Sequence, residues 1–238
     1  MGNMEVHIAV SKIRKYATSN SGDSVEVVER PQGGVSVVMA DGQSSGRGAK
    51  SVANLVVRKV IALLAEGVRD GAAARAASDS LYTERGGKVS ATLNIISIDQ
   101  QTNTMVITRN NPAPAVIALH GETRLLNEPS QPIGLYRGTR PVISEITLET
   151  GLVAVVFTDG LMHAGERSGE RLDILDCIQA MLEEESPSPQ FIADSLLEQA
   201  LMLDGNRPVD DISIVAVSVA PAIGDEIRRM TVRLPLQS

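Results

Sequence analysis

The chain has 238 residues, a length that suits one large domain, and a formal net charge of -7. That charge disfavours a general nucleic-acid binder, which needs a basic surface to displace counterions. The single cysteine excludes an intramolecular disulfide and suits a reducing compartment, so together with the lack of a recognisable signal peptide it predicts a cytoplasmic protein. The most apolar helical stretch, residues 56–65, is too short to predict a membrane span.

Apolar patterning predicts groups of strands that alternate with pairs of helices. Strands are predicted at residues 7–10, 25–29, 34–40, 91–98, 104–108, 115–119, 143–148, 152–157 and 212–219. Helices are predicted at residues 49–66, 71–83, 172–184 and 189–203. This order favours a layered α+β domain over residues 1–220. Residues 221–238 form a C-terminal extension, in which a further strand at 230–234 is left open.

Aspartates stand at the ends of predicted core strands. Asp23 precedes one strand, Asp41 and Asp159 follow two others, and Asp210 and Asp211 precede the last core strand. Clustered carboxylates repel one another unless cations neutralise them, and their oxygens suit Mg²⁺ or Mn²⁺. Asp-Gly is also a frequent turn pair. The residues alone therefore leave open either a metal site or a set of ordinary turns.

The glycine-rich segment at residues 41–51, DGQSSGRGAKS, lies between a predicted strand and a predicted helix. A phosphate-binding loop of the nucleotide-binding type needs Gly directly before the Lys, and Ala49 stands there instead. Nucleotide binding of that kind is therefore not predicted. The helix N-terminus with Arg47 and Lys50 still suits a phosphate carried by a substrate.

Five short motifs, in order along residues 20–219, carry a family resemblance. They are SGDS at 21–24, MADGQSSGRGA at 39–49, SAT at 90–92, FTDGL at 157–161 and DDISIV at 210–215. Together they resemble the stage II sporulation protein E branch of the PPM family, the metal-dependent serine/threonine protein phosphatases. Without an attached sensor domain, the chain looks most like the small stand-alone members, such as the stressosome phosphatase.

The resemblance implies a four-layer αββα sandwich, in which two antiparallel sheets are flanked by helix pairs. It also implies two Mn²⁺ or Mg²⁺ ions per site. Asp41 would bridge both ions, Asp23 and the Gly42 carbonyl would serve one, and Asp159 and Asp210 would hold the other. Asp211 would not bind an ion itself but would help to hold these ligands in place. Catalysis would then act through a metal-bound water, with Asp41 and Asp159 as the catalytic residues.

The implied reaction is hydrolysis of phosphoserine or phosphothreonine on a bacterial signalling protein. The natural partner is a phosphorylated regulator of the anti-sigma-factor-antagonist or stressosome type, and neither a nucleic acid nor a membrane is expected as a partner. The alternative is a catalytically weak, phosphatase-like protein that regulates by binding its partner. The oligomeric state is left open.

Three other signals have ordinary interpretations. His163 suits either protonation of a leaving group or a surface loop, and the loop is favoured. Lys12 and Arg14 are interpreted as a solvated basic stretch. Cys177 lies in an amphipathic helix and is interpreted as a core residue.

Overall fold

A computed structural model describes residues 3–184, 187–222, 224 and 227–235 of the chain. In this part the strands are β1 (Met4–Ile13), β2 (Asp23–Glu29), β3 (Val35–Gly42), β4 (Ala91–Asp99), β5 (Thr104–Asn110), β6 (Ala115–Leu119), β7 (Glu122–Leu126), β8 (Val142–Thr147), β9 (Val153–Phe157) and β10 (Ile212–Pro221). The helices are α1 (Gly46–Ala65), α2 (Asp70–Arg85), α3 (Ile174–Glu184) and α4 (Pro189–Leu203), with a short 3-10 helix at Asp159–Leu161.

The strands form two five-stranded sheets, with orders β1-β10-β9-β6-β7 and β2-β3-β4-β5-β8. All neighbouring strands in both sheets pair antiparallel. One apolar core lies between the sheets. The helices α1 and α2 pack on the outer face of the second sheet, and α3 and α4 pack on the outer face of the first. The predicted four-layer α+β sandwich is therefore confirmed.

The strand β3 shows how the sequence encodes these layers. Successive side chains of a strand point to opposite faces. Val37 and Met39 accordingly pack between the two sheets, whereas Val38 and Ala40 pack under the helices. All four are at most 2% exposed. Burial on both faces explains why this strand is a continuous apolar run and does not alternate with polar residues.

Several predicted boundaries need correction. The strand β7 was missed, because its sequence ETRLL is mostly polar and lies at a sheet edge. The strand β1 begins at Met4 and not at residue 7, since pairing with β10 extends it through polar positions. The helix α1 begins at Gly46, three residues before the predicted start.

The further strand left open at 230–234 is not formed, since residues 227–235 have no regular secondary structure. Arg228 instead reaches Glu29, at the end of β2, over 2.8 Å. The rest of the predicted extension, at residues 223, 225, 226 and 236–238, lies outside the described residues. Among the helices that the structure describes, none has the length and hydropathy needed to cross a bilayer.

Candidate active site

Strand pairing brings the predicted site residues to one edge of the sandwich. In the second sheet, Asp23 at the start of β2 lies directly opposite Asp41 near the end of β3. In the first sheet, β9 and β10 run antiparallel, so the end of one and the start of the other share an edge. Asp159 follows β9, and Asp210 shortly precedes β10. Both sheets therefore contribute carboxylates to the same place.

Asp23 joins the two sheets beneath this edge. Its Oδ2 accepts hydrogen bonds from the Ser213 hydroxyl at 2.6 Å and the Thr158 hydroxyl at 3.1 Å. The residue has no exposed surface, and its Oδ1 has no hydrogen-bond partner among the described residues. A buried carboxylate oxygen without a donor is costly. Its position therefore calls for a cation or a proton.

The pKa values of the clustered carboxyl groups also indicate that this edge binds a cation or protons. Burial is the main reason that the pKa of Asp41 is raised to about 9, and the negative charges of Asp23, Asp159 and Asp210 raise it further. Burial also raises the pKa of Asp23 and that of Asp159. These carboxyl groups hold protons more strongly than free aspartates do, because burial and mutual repulsion disfavour their charged forms. A divalent cation would compensate the remaining charge.

A histidine joins the aspartates of the first sheet. Single ligand atoms of Asp159, His163 and Asp210 all lie within 4.8 Å of one another, and the three side chains are half-buried. The His163 backbone N–H donates to the Asp159 carbonyl at 3.0 Å, so the two residues share one helical turn. The surface-loop interpretation of His163 stays a prediction: the residue lies in a turn, half-buried, beside Asp159 and Asp210.

Asp211 has a different environment from the other aspartates. Its two carboxylate oxygens accept hydrogen bonds from the backbone N–H groups of Lys15 and Gly22, each at 2.8 Å. Asp211 thus holds the loop between β1 and β2 against the first sheet. Neighbouring Asp210 accepts from the Asp211 N–H at 2.9 Å and keeps its other oxygen available.

Gly42 lies where α1 approaches the end of β3 most closely. A Cβ atom at this position would come within 2.1 Å of the Ala49 carbonyl oxygen. Only glycine allows this approach without a backbone shift. The Gly42 main chain, beside Asp41, is therefore held by direct packing against the start of α1.

Two lysine side chains reach the same edge and contact the backbone of Asp23. The ammonium groups of Lys12 and Lys50 both donate to the Asp23 carbonyl oxygen, at 2.5 and 2.6 Å. Although Lys12 as a residue is exposed, desolvation of its ammonium group and the adjacent Lys50 charge lower its pKa to about 8. The solvated-stretch interpretation is wrong for Lys12. It fits Arg14, whose guanidinium donates to the Ser19 carbonyl at 3.0 Å in an exposed position.

Local sequence patterns did not indicate this lysine contact. Lys12 pairs with Ser213 in the β1–β10 register, and the Ser213 hydroxyl itself donates to Asp23. That relation depends on long-range strand pairing and cannot be read from local composition.

An open cleft of about 810 Å³ lies along α1 beside Lys50. Its lining includes Arg47, Arg58 and Lys59, so it is basic although the whole chain is acidic. A second cleft, whose lining includes Arg85 and Lys88, also borders the start of α1. Cationic side chains therefore line two clefts at the start of α1, and none of the clustered aspartates lines either cleft.

Solved structures share this fold. The PP2C phosphatase domain of SpoIIE from Bacillus subtilis matches with a TM-score of 0.78 and 19% identity, over 94% of this chain and 66% of that one. The catalytic domain of the serine/threonine protein phosphatase PstP, solved with two manganese ions, matches with a TM-score of 0.68 and 17% identity, over 92% of this chain and 100% of that one. RsbX, solved in complex with magnesium, matches with a TM-score of 0.69 and 16% identity, over 92% of this chain and 100% of that one. The chain therefore has the fold of the metal-dependent serine/threonine phosphatases.

Sequence comparison then identifies the branch. Residues 31–220 match the family described as Stage II sporulation protein E. Since the match covers well over half of the chain, this protein belongs to the stage II sporulation protein E family. The Stage II sporulation protein E of Bacillus subtilis (strain 168) is 21% identical over 225 residues. The aligned region covers 90% of this chain and 27% of that protein, so the chain spans about a quarter of the length of this relative.

Proposed function

We propose that this chain is a metal-dependent phosphatase that hydrolyses phosphoserine or phosphothreonine on a phosphorylated regulatory protein in the cytoplasm. One observation carries the proposal: buried or half-buried aspartates from both sheets converge at one edge, where their pKa values stay raised although Lys12 lies close by. A structural cluster of this kind destabilises the fold unless it binds something positive. Membership of the stage II sporulation protein E family supports the same conclusion.

The donor set fits divalent cations that prefer oxygen ligands, and we propose two Mn²⁺ or Mg²⁺ ions. Asp41, the Gly42 carbonyl and Asp23 through its unpartnered Oδ1 would hold one ion, with Asp41 shared by both. Asp159 and Asp210 would hold the second. When bound, such cations lower the pKa of water and neutralise charge on a phosphoryl group.

The protein's own groups position this chemistry. Ser213 and Thr158 fix one Asp23 oxygen, which directs the other toward the edge of the sheet. Lys12 and Lys50 place positive charge behind Asp23 and reduce the repulsion among the carboxylates. Asp211 closes the 15–22 loop through two backbone contacts and so supports the edge without giving a free oxygen.

The surroundings favour a protein substrate over a small metabolite. The neighbouring cleft is open and carries Arg47, Arg58 and Lys59, which suit acidic groups on either side of a phosphorylated residue. An open cleft beside the site leaves room for a folded or extended partner, whereas a small metabolite is usually enclosed in its pocket. A phosphorylated regulator of the stress-signalling type fits this surface.

The test is release of inorganic phosphate from a phosphothreonine peptide as Mn²⁺ is titrated. We expect activity that requires the metal, is removed by chelation, and falls at least about 100-fold in Asp41→Asn. Asp176→Asn, at an exposed position in the first turn of α3, is the matched control and should keep full activity.

Absence of metal-dependent release would contradict the proposal. If the protein bound phosphorylated partners under the same conditions without hydrolysing them, it would instead be the catalytically weak binding regulator.

A further inference from the structure

We propose that His163 supplies an imidazole nitrogen to the cation that Asp159 and Asp210 hold, and that this nitrogen makes the site prefer Mn²⁺ and related transition-metal ions to Mg²⁺. The inference rests on the proposed function only in that it assumes a cation at these aspartates. It adds a ligand, and with it a metal preference, to that site.

Local structure preorganises the Asp159–His163 pair. The two residues are four apart in one helical turn, closed by the His163 N–H to Asp159 carbonyl bond at 3.0 Å. Side chains four residues apart on a helical turn lie on the same face. The first turn after β9 therefore presents a carboxylate and an imidazole side by side.

The distances suit a shared ion. One ligand atom each from Asp159, His163 and Asp210 lies within 4.8 Å of the other two. Two donors about 2.0 to 2.6 Å from one cation are at most about 5 Å apart. The three side chains can therefore reach a single ion with small rotamer adjustments.

Two polar groups near this edge, one carboxylate oxygen and one imidazole ring, have no hydrogen-bond partner among the described residues. The fully buried Asp23 Oδ1 has no hydrogen-bond donor among the described residues, and its charge acts on Asp41 together with those of Asp159 and Asp210. The His163 ring makes no hydrogen bond or ion pair with another residue that the structure describes. Its nitrogens are therefore not engaged elsewhere within the described part of the chain.

Ligand chemistry decides the metal preference. Mg²⁺ requires oxygen donors in a near-ideal octahedron, whereas an imidazole nitrogen suits transition-metal ions and their looser geometries. Replacing one oxygen donor by His163 nitrogen thus weakens Mg²⁺ relative to Mn²⁺. If His163 instead only protonated a leaving group, substituting it would slow hydrolysis without changing metal affinity.

The experiment uses the full chain with Mn²⁺ alone and detects nitrogen coordination by pulsed electron paramagnetic resonance. The chain has three histidines, and His7 and His120 lie beside Glu5 and Glu149, outside the site. We expect a histidine nitrogen coupling that changes on ¹⁵N-histidine labelling of the wild type. The coupling should disappear in His163→Gln and persist in the control His120→Gln.

Calorimetric titration completes the test. In His163→Gln we expect Mn²⁺ affinity to fall about 10-fold or more while Mg²⁺ affinity changes less than about 3-fold. A wild-type spectrum without ¹⁵N-sensitive coupling would overturn the inference, as would unchanged Mn²⁺ affinity in His163→Gln. The comparison of ¹⁵N-labelled with unlabelled wild type does not depend on any variant folding correctly.

The two proposals fail separately. Hydrolysis that requires Mn²⁺, together with no nitrogen coupling, would leave the phosphatase and remove the His163 ligand. Nitrogen coupling without hydrolysis would keep the ligand and contradict the phosphatase. Absence of any Mn²⁺ binding would overturn both.

Discussion

Replacing Asp41 by Asn should stabilise the metal-free protein while it abolishes activity. Burial and three neighbouring carboxylates raise the pKa of Asp41 from 3.8 to about 9. A carboxyl group whose pKa is raised on folding contributes most favourably below its unfolded pKa. That contribution is lost as the pH rises through the folded pKa. Asn carries no titrating charge, so the substitution removes this loss.

The size of the effect follows from the width of the pH window. Between pH 5 and pH 8 the unfolded Asp41 is ionised and the folded one is protonated, so each pH unit costs about 1.4 kcal/mol. Over that interval the free energy of unfolding of the wild type should fall by about 4 kcal/mol more than that of Asp41→Asn. The difference should be small below pH 4, where both states are protonated.

Urea denaturation in the presence of a chelator measures this difference directly. The control is Asp176→Asn, whose exposed side chain should give the same pH dependence as the wild type. With saturating Mn²⁺ the wild type should become more stable than Asp41→Asn, because it gains more from bound cations than the variant does. A pH-dependent difference below about 1 kcal/mol for Asp41→Asn would refute the electrostatic account of the cluster.

Two further substitutions test the close packing at Gly42 and the buried Arg30–Asp70 pair. Gly42→Ala should cost about 2 kcal/mol or more in urea denaturation and weaken Mn²⁺ binding in calorimetry, since its Cβ would lie 2.1 Å from the Ala49 oxygen. Gly48→Ala is its control; it meets no atom within 4 Å and should be neutral or slightly stabilising. Arg30→Met should cost about 3 kcal/mol at pH 7, because it leaves Asp70 buried without its partner at 3.1 Å. That cost should shrink in acid, since burial already raises the pKa of Asp70, and unchanged Mn²⁺ affinity would separate it from the site variants.

Local patterns were enough to predict most of the fold. The continuous apolar run of β3 predicted burial on both faces, and Val37 and Val38 are indeed packed on opposite sides of that strand. The edge strand β7 could not be predicted in this way, because a half-exposed edge needs little apolar content. The extension of β1 depends on its partner β10, which lies about 200 residues away in the sequence.

The candidate site could be predicted from the sequence where an aspartate lies at the end of a predicted core strand. Asp41 and Asp159 follow buried strands, and the structure brings them near each other, as the motifs implied. The proximity of His163 to Asp159 follows from one local turn, but its proximity to Asp210 depends on how β9 and β10 pair. The contact of Lys12 with the Asp23 carbonyl was missed, since it joins elements of different sheets. Long-range packing, which local composition does not encode, determined the proximity of His163 to Asp210 and the contact of Lys12.

The most direct test of the metal centre is an anomalous difference map from crystals of the chain soaked in Mn²⁺. Two peaks are expected at the sheet edge, one within ligand distance of Asp41 and one within ligand distance of Asp159, with Asp41 shared between them. Saturating Mn²⁺ without a peak between these aspartates, or with peaks only elsewhere on the surface, would contradict a metal centre at this edge.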